Sequence, residues 1–386
     1  MAGLYIHIPF CKSRCIYCGF YSTTWLSYQD RYVDALCKEL QMRLNDNSLT
    51  DNPFRTLSTI YLGGGTPSQL SASNLEKLFI YINKVYGGIL EDPQARKELE
   101  ITMECNPDDV DDAFCQMLRQ LPVNRISMGA QTFSDERLHF LHRHHTARQV
   151  DDAVERLRAA GIDNISIDLM FGFPGEKLEE WEHDIDHAID LQVEHISAYC
   201  LMYEVNTRLY ELSIYDPQYK EISDEDERNM YETLIERLSA AGFEHYEISN
   251  FARPNRRSRH NSSYWQATPY MGIGAAAHSY DVKTRSWNIA DMTYYVHQME
   301  QGVRPFESET LDNATRYNDL ITTALRTREG ITIANVDSDF RDYLLKNAER
   351  HINRNLLALE DGQLHLTREG LFVSDSIMSD LVFVSE

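Results

Sequence analysis

Short apolar runs recur through the first two hundred residues, separated by longer segments whose apolar positions repeat with helical spacing. The runs at 4–8, 58–62, 100–104, 125–128, 164–170 and 194–201 predict strands. Segments at about 28–44, 71–86, 109–120, 134–160 and 177–191 predict helices between them. Strand–helix alternation of this kind implies right-handed crossovers and a parallel sheet. Six units make a partial (β/α)6 barrel, an incomplete relative of the eight-stranded form, in the α/β class. In such barrels, chemistry collects at the carboxyl ends of the strands.

Beyond about residue 205 the pattern changes. A charged helix at 224–241 stops at Gly242, a residue suited to a C-cap. Residues 253–260, Arg-Pro-Asn-Arg-Arg-Ser-Arg-His, form a basic island. After Leu311 the chain turns helix-rich, punctuated by Gly330, Gly362 and Gly370, with a short strand at 363–367 and a closing helix at 371–384. The division expected is therefore a barrel over 1–205, a barrel extension and connecting region over 206–310, and a small, helix-rich, winged-helix-like C-terminal domain over 311–386.

Composition narrows the class. The 386 residues include 42% hydrophobic ones, enough for a substantial core, and 37 basic against 60 acidic residues give a formal charge of −23. Such a surface repels nucleic acid and anionic membrane, and the acidity argues against DNA reading by the C-terminal domain. The first residues lack a basic segment and carry His7 and Pro9, unlike a signal peptide, and no apolar run is long enough to span a membrane. Four of the seven cysteines, Cys37, Cys105, Cys115 and Cys200, are scattered and read as reduced, partly buried thiols, which fits a cytoplasmic location.

The other three carry the chemistry. Cys11-Lys-Ser-Arg-Cys15-Ile-Tyr-Cys18 follows directly on the first apolar run. Three thiolates at this spacing can hold three corners of a 4Fe-4S cluster and leave one iron open to a small ligand. A disulfide staple conflicts with the odd count, and structural zinc would want a fourth ligand close by; His7 reads as a barrel-lining or core histidine. Gly63-Gly64-Gly65-Thr66-Pro67, straight after the second strand, lets backbone approach a ligand, although a tight turn uses the same residues. Glu104 ends the third predicted strand and Gln131 follows the fourth, where such barrels carry their chemistry. Taken singly, Glu104 could cap a helix, Arg143 lie in solvent and Asp168 satisfy barrel backbone.

Together the cysteine triplet, the glycine run and the six β/α units resemble the radical S-adenosylmethionine (radical SAM) superfamily. That resemblance implies a 4Fe-4S cluster on Cys11, Cys15 and Cys18 whose open iron takes S-adenosylmethionine. A narrower resemblance covers most of the chain. Leu4-Tyr5-Ile6-His7-Ile8-Pro9-Phe10-Cys11, the glycine run, Glu104-Cys105-Asn106-Pro107, Arg125-Ile126-Ser127-Met128-Gly129-Ala130-Gln131 and Asp168-Leu169-Met170-Phe171-Gly172-Phe173-Pro174-Gly175 are similar to the oxygen-independent coproporphyrinogen III oxidase family of porphyrin biosynthesis. It implies that Tyr5 packs on the bound cofactor and Tyr17 shields the cluster near the adenine. Glu104 would meet the methionine ammonium, Gly63, Gly64, Gly65 and Thr66 line the amino-acid end, and Gln131, Arg143 and Asp168 hold the carboxylate and ribose region.

The chain departs from the oxidase in two places. Phe20 stands where the oxidase carries a further cysteine, and Cys11 lies so near the start that the oxidase's N-terminal extension is almost absent. Downstream, His260-Asn261-Ser262-Ser263-Tyr264-Trp265, followed by the stretch 272–279, resembles the heme chaperone branch of the family. That branch implies heme binding, with His260 as an iron ligand and Tyr264 and Trp265 against the macrocycle. It also implies transfer to heme-requiring proteins such as respiratory enzymes, with the cluster regulating transfer or homodimer formation. Arg256, Arg257 and Arg259 could pair with heme propionates. Read without the family, His260 caps a turn and Tyr264 and Trp265 fill an interdomain core. The alternative function is the oxidase reaction itself. Whether the chain is an enzyme stays open at this point.

Overall fold

The computed structural model describes residues 1–45 and 52–384. Six strands, β1 (Ala2–Ile8), β2 (Leu57–Gly64), β3 (Glu100–Cys105), β4 (Arg125–Gln131), β5 (Ile165–Phe171) and β6 (His195–Cys200), lie side by side in chain order. All five pairings between them are parallel. The helices Gln29–Leu44, Ala72–Val85, Asp112–Leu118, Ala147–Ala159 and Leu178–Asp190 pack on the outside, over Leu4, Ile60, Ile101, Ile126 and Ile167, all fully buried. The opposite residues of each strand, among them Tyr5, Tyr61, Thr102, Glu104, Ser127, Asp168 and Ser197, form a polar lining. Period-two alternation thus separates an apolar jacket from a hydrophilic bore.

The segment after β6 extends both edges of this sheet. β8 (Asn250–Ala252) runs antiparallel beside β6, and β7 (Glu244–Glu247) pairs antiparallel with β8 at the edge. At the other edge β9 (Tyr270–Ile273) pairs parallel with β1, and β10 (His278–Tyr280), β11 (Thr284–Asn288) and β12 (Phe306–Thr310) continue antiparallel, giving twelve strands in all. A separate three-stranded sheet of β13 (Ile331–Thr332), β14 (Leu357–Glu360) and β15 (Gln363–Leu366) lies among C-terminal helices around its own core, which includes Ile321, Leu344, Leu364 and Leu381.

Two helices expected from periodicity are broken. The 134–160 segment forms Asp135–Phe140 and Ala147–Ala159, because His142 adopts a left-handed φ of 61° and Thr146 starts the second helix with a capping box to Gln149. The closing helix at 371–384 is instead Arg368–Leu371 and Ser374–Leu381, interrupted at Val373.

Candidate active site at the barrel mouth

The cysteine loop leaves β1 at the carboxyl end of the barrel and is pinned along its length. The Cys11 amide donates to Thr23 O at 2.9 Å, Ile16 N to Leu141 O at 3.3 Å, and Leu209 N to Ile16 O at 2.8 Å. Lys12 is tied to Asp108 and Asp109, and Ser13 Oγ to His144 Nε2 at 2.7 Å. Cys11, Cys15 and Cys18 are free thiols that open on one cavity of about 200 Å3. Among the described residues, no three His, Cys, Asp or Glu side chains converge on a single metal ion. A cubane spreads its thiolates over three separate irons, so its ligands need not converge on one ion.

The rest of the cavity wall matches a small zwitterion. Glu104 is enclosed; its Oε1 accepts from the Tyr61 hydroxyl at 2.7 Å and its Oε2 from the Gly64 amide at 3.0 Å. Burial raises its carboxyl to about 7 against the pull of those two donors. The glycines are sterically required. A Cβ on Gly63 would stand 2.9 Å from Glu104 Oε1, one on Gly65 2.7 Å from Pro9 backbone, and Gly64 has φ +114° against the His7 ring. Arg143 is turned inward, its Nη2 donating to Asn106 Oδ1 at 2.7 Å and Gly129 O at 2.6 Å, with Nη1 3.7 Å from Cys15 Sγ. Thr66 Oγ1 lies 3.5 Å from Cys11 Sγ. Gln131 sits at a β-bulge with φ +67°, which aims its amide into the cavity. Asp168 lies across the bore, 3.4 and 3.5 Å from Ser127 Oγ, its carboxyl raised by burial.

A second, larger chamber of about 590 Å3 continues from this cavity through the bore. Tyr17, Cys18, Phe20, Glu104, Gln131 and Asp168 line both; Tyr5, Tyr61, Tyr199, Met170 and Met202 supply aromatic and thioether wall. Phe20, 72% exposed, and Met202, 60% exposed, stand at its rim. Its far end is shut by the helix Arg259–Trp265, whose His260 and Tyr264 face into the bore.

The structure therefore brings Cys11, Cys15, Cys18, Tyr17, Gly64, Gly65, Thr66, Glu104, Gln131, Arg143 and Asp168 to one cavity, with Gly63 directly behind Glu104 and Tyr5 deeper in the bore. His260 is placed at the opposite end of the barrel from the cysteines. It is 1% exposed, stacked on Tyr61, with Nδ1 2.7 Å from Thr59 Oγ1 and Nε2 2.8 Å from the Tyr264 hydroxyl, and burial lowers its imidazole to about 3. It caps no turn. Trp265 points away from the chamber, with Arg326 of the C-terminal unit over its ring. The basic island has partners within the protein: Arg257 holds Glu244 and Glu329, Arg256 lies 3.6 Å from Asp163, and Arg259 donates to Glu98 O. His7 is the core histidine expected, bonded to Tyr5 and to Tyr21 O, and lowered to about 4 by burial. Sequence reasoning missed Asn106, Ser127 and Ser197. The first two lie inside motifs already quoted, where their neighbours drew attention; nothing in the sequence marks Ser197.

Comparison with known proteins bears on this geometry. The model of the radical SAM superfamily matches residues 5–188, and that of the HemN C-terminal domain residues 311–373. The heme chaperone HemW of Bacillus subtilis (strain 168) is 34% identical over 389 aligned residues, covering 98% of either chain. That of Lactococcus lactis is 32% identical, covering 97% of this chain and 95% of its own length, and that of Escherichia coli K12 is 36% identical over 72% of this chain and 69% of its own. The solved coproporphyrinogen III oxidase HemN of E. coli superposes with a TM-score of 0.82 across 99% of this chain and 90% of its own, at 20% identity, which is a likeness of fold.

Proposed function

Because the chain belongs to the HemW heme chaperone family and carries the radical SAM barrel, we propose that it binds heme and delivers it to heme-requiring proteins. In this reading the barrel holds a 4Fe-4S cluster and S-adenosylmethionine. The full-length correspondence to heme chaperones is the observation that carries the proposal. The oxidase reaction is not favoured: the likeness to HemN is one of fold, and Phe20, on the chamber wall, stands where the sequence resemblance implies a further cysteine in the oxidase.

Cys11, Cys15 and Cys18 would hold the cluster, with Arg143 beside the Cys15 sulfur offsetting thiolate charge. When bound, the cluster and S-adenosylmethionine supply one-electron chemistry at a sulfonium. The chain's own residues then do the holding. Glu104, when ionised, takes the ammonium while Tyr61 and the Gly64 amide fix its orientation. Arg143 and Gln131 face the carboxylate, and Asp168 can accept from ribose hydroxyls. Tyr17 and Phe20 line both the cavity and the chamber and stand where the two meet.

For heme, the aromatic chamber and its exposed rim offer an apolar surface of the right character. His260 is the proposed iron ligand. It would have to exchange its bond to Tyr264 for one to iron, and the floor helix would have to move. Respiratory enzymes as recipients, a cytoplasmic setting and cluster-dependent dimerisation complete the reading; among the described residues no helix is long and apolar enough to cross a membrane.

The test is heme titration of anaerobically reconstituted protein. A Soret band that saturates, and transfer of that heme to an apo-acceptor, are expected; His260→Ala should shift the band or weaken binding. Multiple turnover of coproporphyrinogen III to protoporphyrinogen IX, with no saturable heme binding, would overturn the chaperone reading. An unaltered spectrum and affinity in the variant would remove His260 alone.

A further inference from the structure

At the foot of β4 lies a charge that none of these roles uses. Arg125 is 1% exposed and stands level with Thr102 on β3, facing the bore. Among the described residues it has no carboxylate within ion-pair distance, and its Nε and Nη2, like the neighbouring Thr102 Oγ1, meet no hydrogen-bond partner. A buried guanidinium without a partner is costly, and in a medium of low polarisability its field reaches well beyond contact.

The groups around it are few. Tyr61 faces it from β2, Glu104 from β3, Asp168 from β5, His195 from β6, Tyr246 from β7 and His260 from the floor helix. Both histidines are occupied at both ring nitrogens, His195 by Ser166 and Tyr246, His260 by Thr59 and Tyr264, and burial keeps them neutral. The tyrosines are neutral as well, since burial raises their hydroxyls. Three carboxylates share this face: Glu100, two residues before Thr102 on β3, whose oxygens are taken up by the Arg259 and His260 amides, and Glu104 and Asp168, which look into the cavity. The latter two are enclosed in a bore that favours their protonated forms, and at Glu104 the Asp168 charge adds to that. Tyr61, the Gly64 amide and then Arg125 oppose it at Glu104, and Ser197, Arg125 and Ser127 oppose it at Asp168. Glu104 further faces the hydroxyls of Tyr5 and Tyr264, and Asp168 faces Ser127, Ser197, Tyr199 and Arg143.

We propose that Arg125 is a positioning residue: its buried charge, one layer below Glu104 and two below Asp168 along the bore, favours the carboxylate form of both and so fits the site to a ligand bearing a cationic amine. This rests on the S-adenosylmethionine reading above. Arg125 touches no ligand itself. At long range it would mildly repel a cation, so its benefit is confined to the pH range where it decides whether Glu104 is charged.

That gives an unusual signature. S-adenosylmethionine is titrated calorimetrically into anaerobically reconstituted protein between pH 6 and 8.5, beside 5′-methylthioadenosine, which has neither ammonium nor sulfonium. Unmutated protein should bind S-adenosylmethionine more tightly as pH rises through about 7. In Arg125→Met, the rise should move upward by up to about one pH unit, weakening binding up to about fivefold at pH 7, while the two proteins converge or cross at pH 8.5. Methylthioadenosine should bind both alike, and Arg125→Lys should restore most of the profile. Arg125→Gln is carried in parallel, so that a folded neutral variant, checked by circular dichroism, is in hand. A uniform loss at every pH, or equal weakening of methylthioadenosine, overturns the role of Arg125. Failure of unmutated protein to bind S-adenosylmethionine at any pH overturns the cofactor reading itself.

Discussion

Glu104 meets three demands that do not agree. It must lie where a ligand ammonium can reach it, accept the Tyr61 hydroxyl and Gly64 amide, and stay out of bulk water. The last demand dominates and raises its carboxyl to about 7, far above an unfolded glutamate. A carboxyl raised on folding stabilises the native state fully below its unfolded value and loses that contribution as pH climbs through the folded value. Ionised Glu104 is therefore a stability cost above pH 7 in the ligand-free protein, up to about 3 kcal/mol. Glu104→Gln should melt above the parent at pH 8, and the gap should close or reverse by pH 5; a gap independent of pH would refute this. The cysteine triplet was readable from sequence because its chemistry is local: three thiols on one loop need no tertiary knowledge. Arg125 was not. An arginine opening an apolar strand reads as a strand end facing solvent, and only the pairing of β3 with β4 shows that it faces the bore.

At the scale of elements, the break between Asp135–Phe140 and Ala147–Ala159 decides the site. Apolar and charged positions keep helical spacing across it, so periodicity joined the two helices. The left-handed turn at His142 swings Arg143 toward Cys15 and buries His145 against Ala130 O at 3.0 Å. A continuous helix would have carried Arg143 elsewhere. The floor helix Arg259–Trp265 shows the converse, a short element held mainly from outside. Ser258 caps it, and the Glu100 carboxylate accepts from the Arg259 and His260 amides, both at 2.9 Å. Negative charge at a helix start is favourable, and this one is removed from water. Glu100→Gln should cost about 1–2 kcal/mol, lower the melting temperature by a few degrees and speed amide exchange over 258–265. Unchanged exchange there would show that side-chain packing alone retains the helix.

Across the whole molecule, the barrel order was legible because each β/α unit repeats one pattern, and the edges were not, because short antiparallel strands such as Asn250–Ala252 carry no period to detect. The C-terminal unit has its own core and meets the barrel through a backbone seam. Ile248 N donates to Arg326 O and Arg328 N to Tyr246 O, each at 3.0 Å, while the Arg326 guanidinium covers Trp265. Exposed ion pairs such as Arg228–Glu369 and Arg368–Glu236 border the contact and are weak individually. Arg326→Ala should therefore shift Trp265 emission and raise exchange along 246–248 and 326–328, leaving β1 to β5 protected. Loss of protection across those strands would mean that the two cores fold as one.

The closed floor has one more consequence. With its base covered by the floor helix, the chamber opens past Phe20 and Met202. On the proposed reading, a flat guest reaching His260 and a small guest beside the cysteines would share the walls Tyr17, Glu104 and Asp168, so the presence of one would be felt by the other.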